Sequence, residues 1–402
     1  MQKTSKISKP ECVYCNNAPV NHKLEYFLAT TSIMNDYLLP GNNSKPPPQS
    51  FVYTAKGITS ILNKLLQIFR ILRYTSTSDK LATSRTKAVW NEAVSRGIKI
   101  EQLSVFGRPL EMCRMYLQPK NYKKPKWFYF ESLPVPPWCD IPEYSWIDDK
   151  REYNKKFTQS DLPVAKSLEV TTIKSLYKAV DQIGFPLIIK PRAGSRARHT
   201  TVNITNIDDL KSAYKRAKQL CYFILAEEFI PGYVYRATCI GKKVVGILKF
   251  IRPNIIADGT MNIEELLNYH NTHKKFDNLT DVKINEWLID SLYHQGYSLK
   301  SIPDSDREIV FTEHSERPNG GYFIDVTEYI PQENIALIER AANVAQLDVI
   351  GFDIISRDLT KSYQEEKLTF IEGNSLPFIE LHLEVYEGKI YDTPKALFDL
   401  WF

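Results

Sequence analysis

Residues 349–377 read VIGFDIISRDLTKSYQEEKLTFIEGNSLP. Val349 to Ile355 and Leu368 to Glu372 are short apolar runs of strand length, separated by a polar loop. Glu372 and Asn374 stand two apart where the second run ends, so their side chains leave on one face. Asp353 lies in the middle of the first. If the two runs pair, three oxygen-bearing side chains meet at one spot, an arrangement that magnesium prefers and that leaves its other positions to water and phosphate oxygens. Taken singly, an acid near a strand end is more often a solvated tip, so the weight rests on what surrounds it.

Upstream, Thr172 to Ile183 has helical periodicity and stops at Gly184. Phe185 to Pro191 is a short apolar strand ending in Lys190, a point charge that suits a phosphate; the ordinary alternative is an exposed strand-end lysine. A polar loop, Arg192 to Thr200, leads to a strand at Thr201 to Ile204 and an amphipathic helix at Asp208 to Leu220. Strands follow at Phe223 to Glu228, Tyr235 to Ile240 and Val244 to Phe250, and together these read as an α+β lid. A helix spans Glu333 to Gln346, and another, Thr393 to Leu400, closes the chain.

The N-terminal part is less informative. Residues 1–56 read as irregular, with a Lys45-Pro-Pro-Pro48 stretch that neither helix nor central strand accommodates. Gly57 to Tyr74 carries Ile58, Ile61, Leu62, Leu65, Leu66, Phe69 and Leu72 at helical spacing, with a basic polar face; it packs on a core or lies on a partner surface. Helices are expected at Ala88 to Ser95 and Pro109 to Leu117, strands at Ile98 to Val105 and Trp127 to Phe130. Cys12 and Cys15 form the one CxxC. A zinc site needs two further ligands and only His22 lies nearby, so the default reading is incidental thiols in a reducing cytosol.

Composition excludes several classes. With 52 Lys+Arg against 47 Asp+Glu, the net charge of +5 is too mild to argue for nucleic acid. No run approaches the roughly 20 uncharged apolar residues of a membrane span, and no apolar signal core follows the N-terminus. A cytoplasmic location is expected.

In order along the chain, Lys150, Lys190-Pro191, Gly194, Glu227-Glu-Phe-Ile-Pro-Gly232, Arg236, Lys249, Asn319-Gly-Gly321, Gly351-Phe-Asp353 and Glu372-Gly-Asn374-Ser-Leu-Pro377 resemble the ATP-grasp superfamily, and within it the ATP-grasp module of cyanophycin synthetase and related amino-acid ligases. The resemblance covers roughly residues 145–402. It implies an α+β fold in which two α+β subdomains clasp ATP, preceded by a small α/β domain. The corresponding division is an extension at 1–80, the small domain at 81–145, and the ATP-grasp unit at 146–402 with its lid at about 163–250.

For individual residues, the resemblance implies ATP phosphates held by Lys150, Lys190 and the Gly194-Ser195 loop. Adenine would meet the backbone of Glu227, Glu228, Phe229 and Ile230, and magnesium, in two ions, would meet Asp353, Glu372 and Asn374. Arg236, Lys249 and Arg317 are the candidate catalytic residues, Arg317 for a substrate carboxylate. The implied reaction joins a carboxylate and an amine of amino acids or short peptides through an acyl phosphate, and relatives of this type commonly form homo-oligomers. Two features depart from the pattern. The loop Arg192-Ala-Gly-Ser-Arg-Ala-Arg198 has one glycine where backbone amides usually approach phosphate, and Val234 replaces an acid near the ribose. They motivate the alternative of a catalytically degenerate nucleotide-binding protein.

Overall fold

The computed structural model describes residues 12–15, 20–38, 71–77, 81–118, 124–135, 146–194, 197–312 and 319–402. Most of the basic amphipathic segment at 57–74 lies outside them. Its described end is strand β1 (Leu72–Thr75), so the first sheet begins ahead of position 81. The N-terminal stretch is not wholly irregular either: α1 spans His22–Leu38.

Four antiparallel strands, in the order β1-β2-β3-β4, form that first sheet with β2 (Lys99–Val105), β3 (Arg108–Leu117) and β4 (Lys126–Glu131). The helix expected at 109–117 is therefore a strand. Cys113, Met115 and Leu117 are buried while Met112 and Tyr116 are exposed, a period of two that fits a half-buried sheet. Helix α2 (Ser84–Ser95) starts where the Thr83 hydroxyl accepts from the Thr86 amide. It packs Val89, Trp90 and Ala93 on Met115 and Phe128 in a core shared with α9 (Thr393–Trp401) through Leu397, Phe398 and Trp401.

Five strands in the order β13-β10-β9-β14-β15 make the central sheet: β9 (Tyr233–Ile240), β10 (Lys243–Ile251), β13 (Tyr322–Asp325), β14 (Val349–Ser356) and β15 (Thr369–Asn374). Its apolar face carries Tyr235, Ala237, Ile247, Phe352, Ile354 and Phe370 against Leu337, Ile338 and Ala341 of α8 (Gln332–Ala345). Tyr153 and Phe157 of α3 (Lys150–Gln159) join the same core.

A four-stranded antiparallel sheet, β5-β8-β6-β7, lies across from it: β5 (Ser167–Val170), β6 (Leu187–Pro191), β7 (Thr201–Ile204) and β8 (Ile224–Glu228). Helices α4 (Ile173–Ile183) and α5 (Ile207–Ala217) cover one face, burying Leu176, Ala179, Leu210 and Ala213 on Leu187, Ile189, Ile224 and Ala226. The opposite parity, which includes Lys190 and Glu227, is left facing away from the helices. β9 and β10 do not belong to this sheet, so the lid segment read as 163–250 contributes its last two strands to the central sheet. Residues 254–310 add β11 (Asn254–Ile256), α6 (Ile263–Thr272), α7 (Glu286–His294) and β12 (Glu308–Val310) around a separate small core. Among the described residues no helix is long and apolar enough to cross a membrane.

Candidate active site

Strand register builds the site. Asp353 of β14 lies directly opposite Arg236 of β9 on one side and Glu372 of β15 on the other. Paired residues share a face, so the three side chains form a row on the side of the sheet away from α8. Asn374 follows at the end of β15, paired with Gly351. That glycine is required by close approach: a Cβ there would stand 2.9 Å from Pro377 Cβ and 3.3 Å from Arg236 Cδ.

Arg236 grips Asp353 with two parallel hydrogen bonds, one from Nε to Oδ1 and one from a terminal nitrogen to Oδ2, the latter at 3.0 Å. The Arg236 Nη1 and the Asn374 Nδ2 are buried with no hydrogen-bond partner, orphans of the kind that a ligand satisfies. Burial, and behind it the neighbouring Glu372, pushes the Asp353 carboxyl up to about 6 despite Arg236. Burial also works on Glu372, but Lys150, Lys190 and Arg236 outweigh it and hold its carboxylate below the ordinary range. A buried acid facing a half-buried one, beside an amide whose nitrogen is buried, forms an oxygen-donor set that fits a hard divalent cation.

The cations arrive from the other sheet and from α3. Asp149 caps α3 by accepting from the Arg151 and Glu152 amides, and Lys150 follows it as the first helical residue. The Lys150 ammonium donates to the Gly194 carbonyl at 2.7 Å and lies 4.0 Å from Glu372. Burial and the nearby Lys190 lower its pKa, with Glu372 and Glu227 opposing them. Lys190 pairs with Glu227 at 2.6 Å on the helix-free face of its sheet, and Glu227 also accepts from the Ser167 hydroxyl at 3.1 Å. Asp148 accepts from the Ser375 hydroxyl at 2.6 Å and from its amide at 3.2 Å, tying the segment before α3 to the turn that carries Asn374. Five of the sequence-selected residues, Lys150, Lys190, Arg236, Asp353 and Glu372, thus sit within one electrostatic neighbourhood.

Others are placed differently. Lys249 pairs with Tyr235, not with Arg236, so it leaves on the α8 face; its ammonium sits 3.8 Å over the Tyr233 ring. Glu228 ends β8 and Phe229 starts the connection to β9, and their amides donate to the Lys166 and Pro186 carbonyls at 2.9 and 3.2 Å. Two of the four residues read as adenine contacts therefore have their N–H groups committed inside the protein. Ile230 is buried. Ser195 and Arg317 lie outside the described residues. His382, two residues after Glu380, is buried: its Nε2 meets the Thr238 hydroxyl at 2.8 Å, and burial, then Arg236, lowers its pKa to about 3. Gly246 makes room for it, since a Cβ there would lie 2.5 Å from the imidazole Nδ1.

Sequence reasoning missed three contributors. Arg192, which opens the one-glycine loop, is 2% exposed and bridges Asp149 at 2.6 Å and Glu169 at 2.7 Å. Arg85 of α2 donates to the Leu376 carbonyl at 2.8 Å and pairs with Glu111 of β3 at 3.0 Å, bracing the turn after Asn374 from the first domain's helix. Glu380 is buried with one carboxylate oxygen lacking a partner, and burial pushes its carboxyl up to about 7. Only the cap position of Asp149 had a local signal, an acid directly before a helix; the other contacts join distant segments.

Two mixed α/β layers meeting over a row of partly buried acids and lysines define the ATP-grasp fold, and this chain has it. A bifunctional glutathione synthetase from Pasteurella multocida superposes with a TM-score of 0.52 at 20% identity, covering 79% of this chain and 43% of that one. In sequence, the chain is 27% identical over 262 residues to cyanophycin synthetase of a Synechocystis species, which is 63% of this chain and 30% of that protein. It is 32% identical over 171 residues to the glutathione biosynthesis bifunctional protein of Desulfotalea psychrophila, 41% of this chain and 22% of that one. The chain thus spans less than a third of the length of these curated relatives. No family model matches it.

Proposed function

We propose that the chain is an ATP-dependent carboxylate–amine ligase acting on amino acids or short peptides, with residues 146–402 as its ATP-grasp unit. The row Arg236–Asp353–Glu372 with Lys150 and Lys190 facing it carries this reading: phosphoryl transfer is mostly positioning and charge neutralisation, and these are the groups it needs. Asp353, Glu372 and Asn374 would hold magnesium, as two ions, which supplies charge neutralisation for the phosphates. Lys150 and Lys190 would bind the phosphates. The orphan Nη1 of Arg236 would donate to the transferring phosphoryl group or to the acyl oxygen.

The reaction balances in two steps. A substrate carboxylate oxygen bonds to the γ-phosphorus as the bond to the ADP oxygen breaks, giving an acyl phosphate. An amine nitrogen then bonds to the acyl carbon, phosphate leaves, and the amine gives up a proton. The relatives, which include a cyanophycin synthetase and a glutathione biosynthesis protein, support substrates of the amino-acid and peptide class. A small-molecule reaction in the cytoplasm, without nucleic acid and in a homo-oligomer, completes the proposal.

A phosphate-release screen over pairs of amino acids and dipeptides, followed by mass spectrometry, tests it. ADP and phosphate should form only with ATP, magnesium and both co-substrates, together with a product whose mass is the sum of the pair less water. Thermal stabilisation by ATP with no phosphate release across the panel would instead favour a nucleotide-binding protein without ligase activity.

A further inference from the structure

A second cluster stands apart from the acids. Cys12, Cys15, His22 and His199 bring one ligand atom each to within 4.8 Å of one another. Cys15 Sγ lies 3.1 Å from His22 Nε2 and 3.6 Å from His199 Nε2, and Cys12 Sγ lies 3.5 Å from His199 Nε2. For a tetrahedral zinc ion with ordinary Zn–S and Zn–N bonds, ligand atoms are separated by roughly 3.4–3.8 Å. These three spacings match that tetrahedron to a few tenths of an ångström, and the remaining pairs lie within 4.8 Å, about an ångström of closure from it. Unconnected side chains in a mixed core have no reason to do so.

The surroundings are built for the same purpose. The Cys15 amide donates to the Cys12 carbonyl at 3.0 Å, a tight turn that puts both thiols on one side. The His199 amide donates to the Tyr14 carbonyl at 2.9 Å, so the turn is seated on the histidine's own backbone. The other imidazole nitrogen of His199, Nδ1, meets the Arg216 carbonyl at 2.8 Å, which makes it the protonated one and aims the Nε2 lone pair at the thiols. Arg216 in turn stacks its guanidinium 3.8 Å over the Tyr14 ring, between the two cysteines in sequence. His199 and Cys15 are 1% and 0% exposed.

We propose that these four residues bind one structural zinc ion. Two thiolates and two neutral imidazoles cancel its charge, and this donor set selects zinc over magnesium or calcium. The default reading of Cys12 and Cys15 as incidental thiols fails because the missing ligand, His199, lies 184 residues beyond Cys15. The site has a consequence for the ligase unit. His199 ends the loop that runs from Arg192 through Gly194, whose carbonyl receives Lys150. Zinc would tie the N-terminal segment carrying α1 to that loop. The metal proposal rests on the cluster alone and stands or falls independently of the ligase reading.

The test uses the full chain purified without chelator. Elemental analysis should find roughly one zinc per chain, and substitution with cobalt(II) should give the intense visible bands of a tetrahedral thiolate-bound ion. Cys12→Ser, Cys15→Ser and His199→Gln should each weaken metal binding about tenfold or more, whereas Cys221→Ser, a buried cysteine outside the cluster, should leave it unchanged. If a ligand variant does not fold, the wild-type chain decides: a strong chelator should remove the zinc and lower the melting temperature, and zinc should restore it. A folded chain that takes up no zinc or tetrahedral cobalt after reduction and reconstitution overturns the proposal. So does equal loss of metal on replacing Cys221.

Discussion

Replacing Arg192 by methionine removes one charge and keeps most of the buried stem. In the folded chain the guanidinium donates to Asp149 through Nε at 3.1 Å and a terminal nitrogen at 2.6 Å, and to Glu169 at 2.7 Å. The variant leaves two carboxylates facing each other across a cation-sized gap, with side chains only 20% and 16% exposed. Breaking a buried pair from one side costs about 3–5 kcal/mol, and the partial exposure of the acids places this case near about 3 kcal/mol. Urea unfolding should therefore show a midpoint shift of that size with an unchanged slope. Because Asp149 also caps the helix that begins with Lys150, ATP affinity should fall in the same variant. Arg192→Lys should recover only part of the stability, since an ammonium cannot bridge both acids with a planar fork. A loss below about 1 kcal/mol for Arg192→Met would mean that the triad behaves as an exposed ion pair, and the account of how Lys150 is positioned would be wrong.

Two further outcomes can be checked on the same protein. Glu380 holds its proton in the folded chain up to about 7, so the unfolded chain binds fewer protons above its own lower pKa. Stability contributed by this group should fall as pH rises from about 4.5 to 7 and then level off, and Glu380→Gln should flatten that profile by at most about 3 kcal/mol, read from urea midpoints. Gly351→Ala places a methyl 2.9 Å from Pro377 and 3.3 Å from Arg236. It should cost about 1–3 kcal/mol and lower kcat for phosphate release more than it raises KM for ATP, whereas a displaced nucleotide alone would give the reverse split.

The parts of the chain that could be read in advance are those specified locally. The strands at 349–356 and 369–374 follow from short apolar runs, and the helices at 173–183 and 207–217 from periodicity and, for the first, the Gly184 stop. Pro109 and a run of helix-compatible residues hid the period of two in β3. Helix α1 buries Ile33 while Leu24, Phe27, Leu28 and Met34 are exposed, so its apolar residues are spread round the helix and mark no single face. Lys249 was chosen by its place in an ordered series, but strand parity puts its Cα partner at Tyr235 and turns it to the other face. The Arg192 triad and the histidine beside the Cys12–Cys15 pair are contacts between distant segments, and no local pattern announces them.

The central claim is that Asp353, Glu372 and Asn374 hold divalent metal against a triphosphate gripped by Lys150 and Lys190. Calorimetric titration of ATP into the wild-type chain and Glu372→Gln, each with and without magnesium, tests it most directly. The account predicts that magnesium tightens ATP binding to the wild type and that the variant, with an unchanged urea midpoint, loses about tenfold or more of that enhancement. Equal magnesium enhancement in both proteins would contradict it.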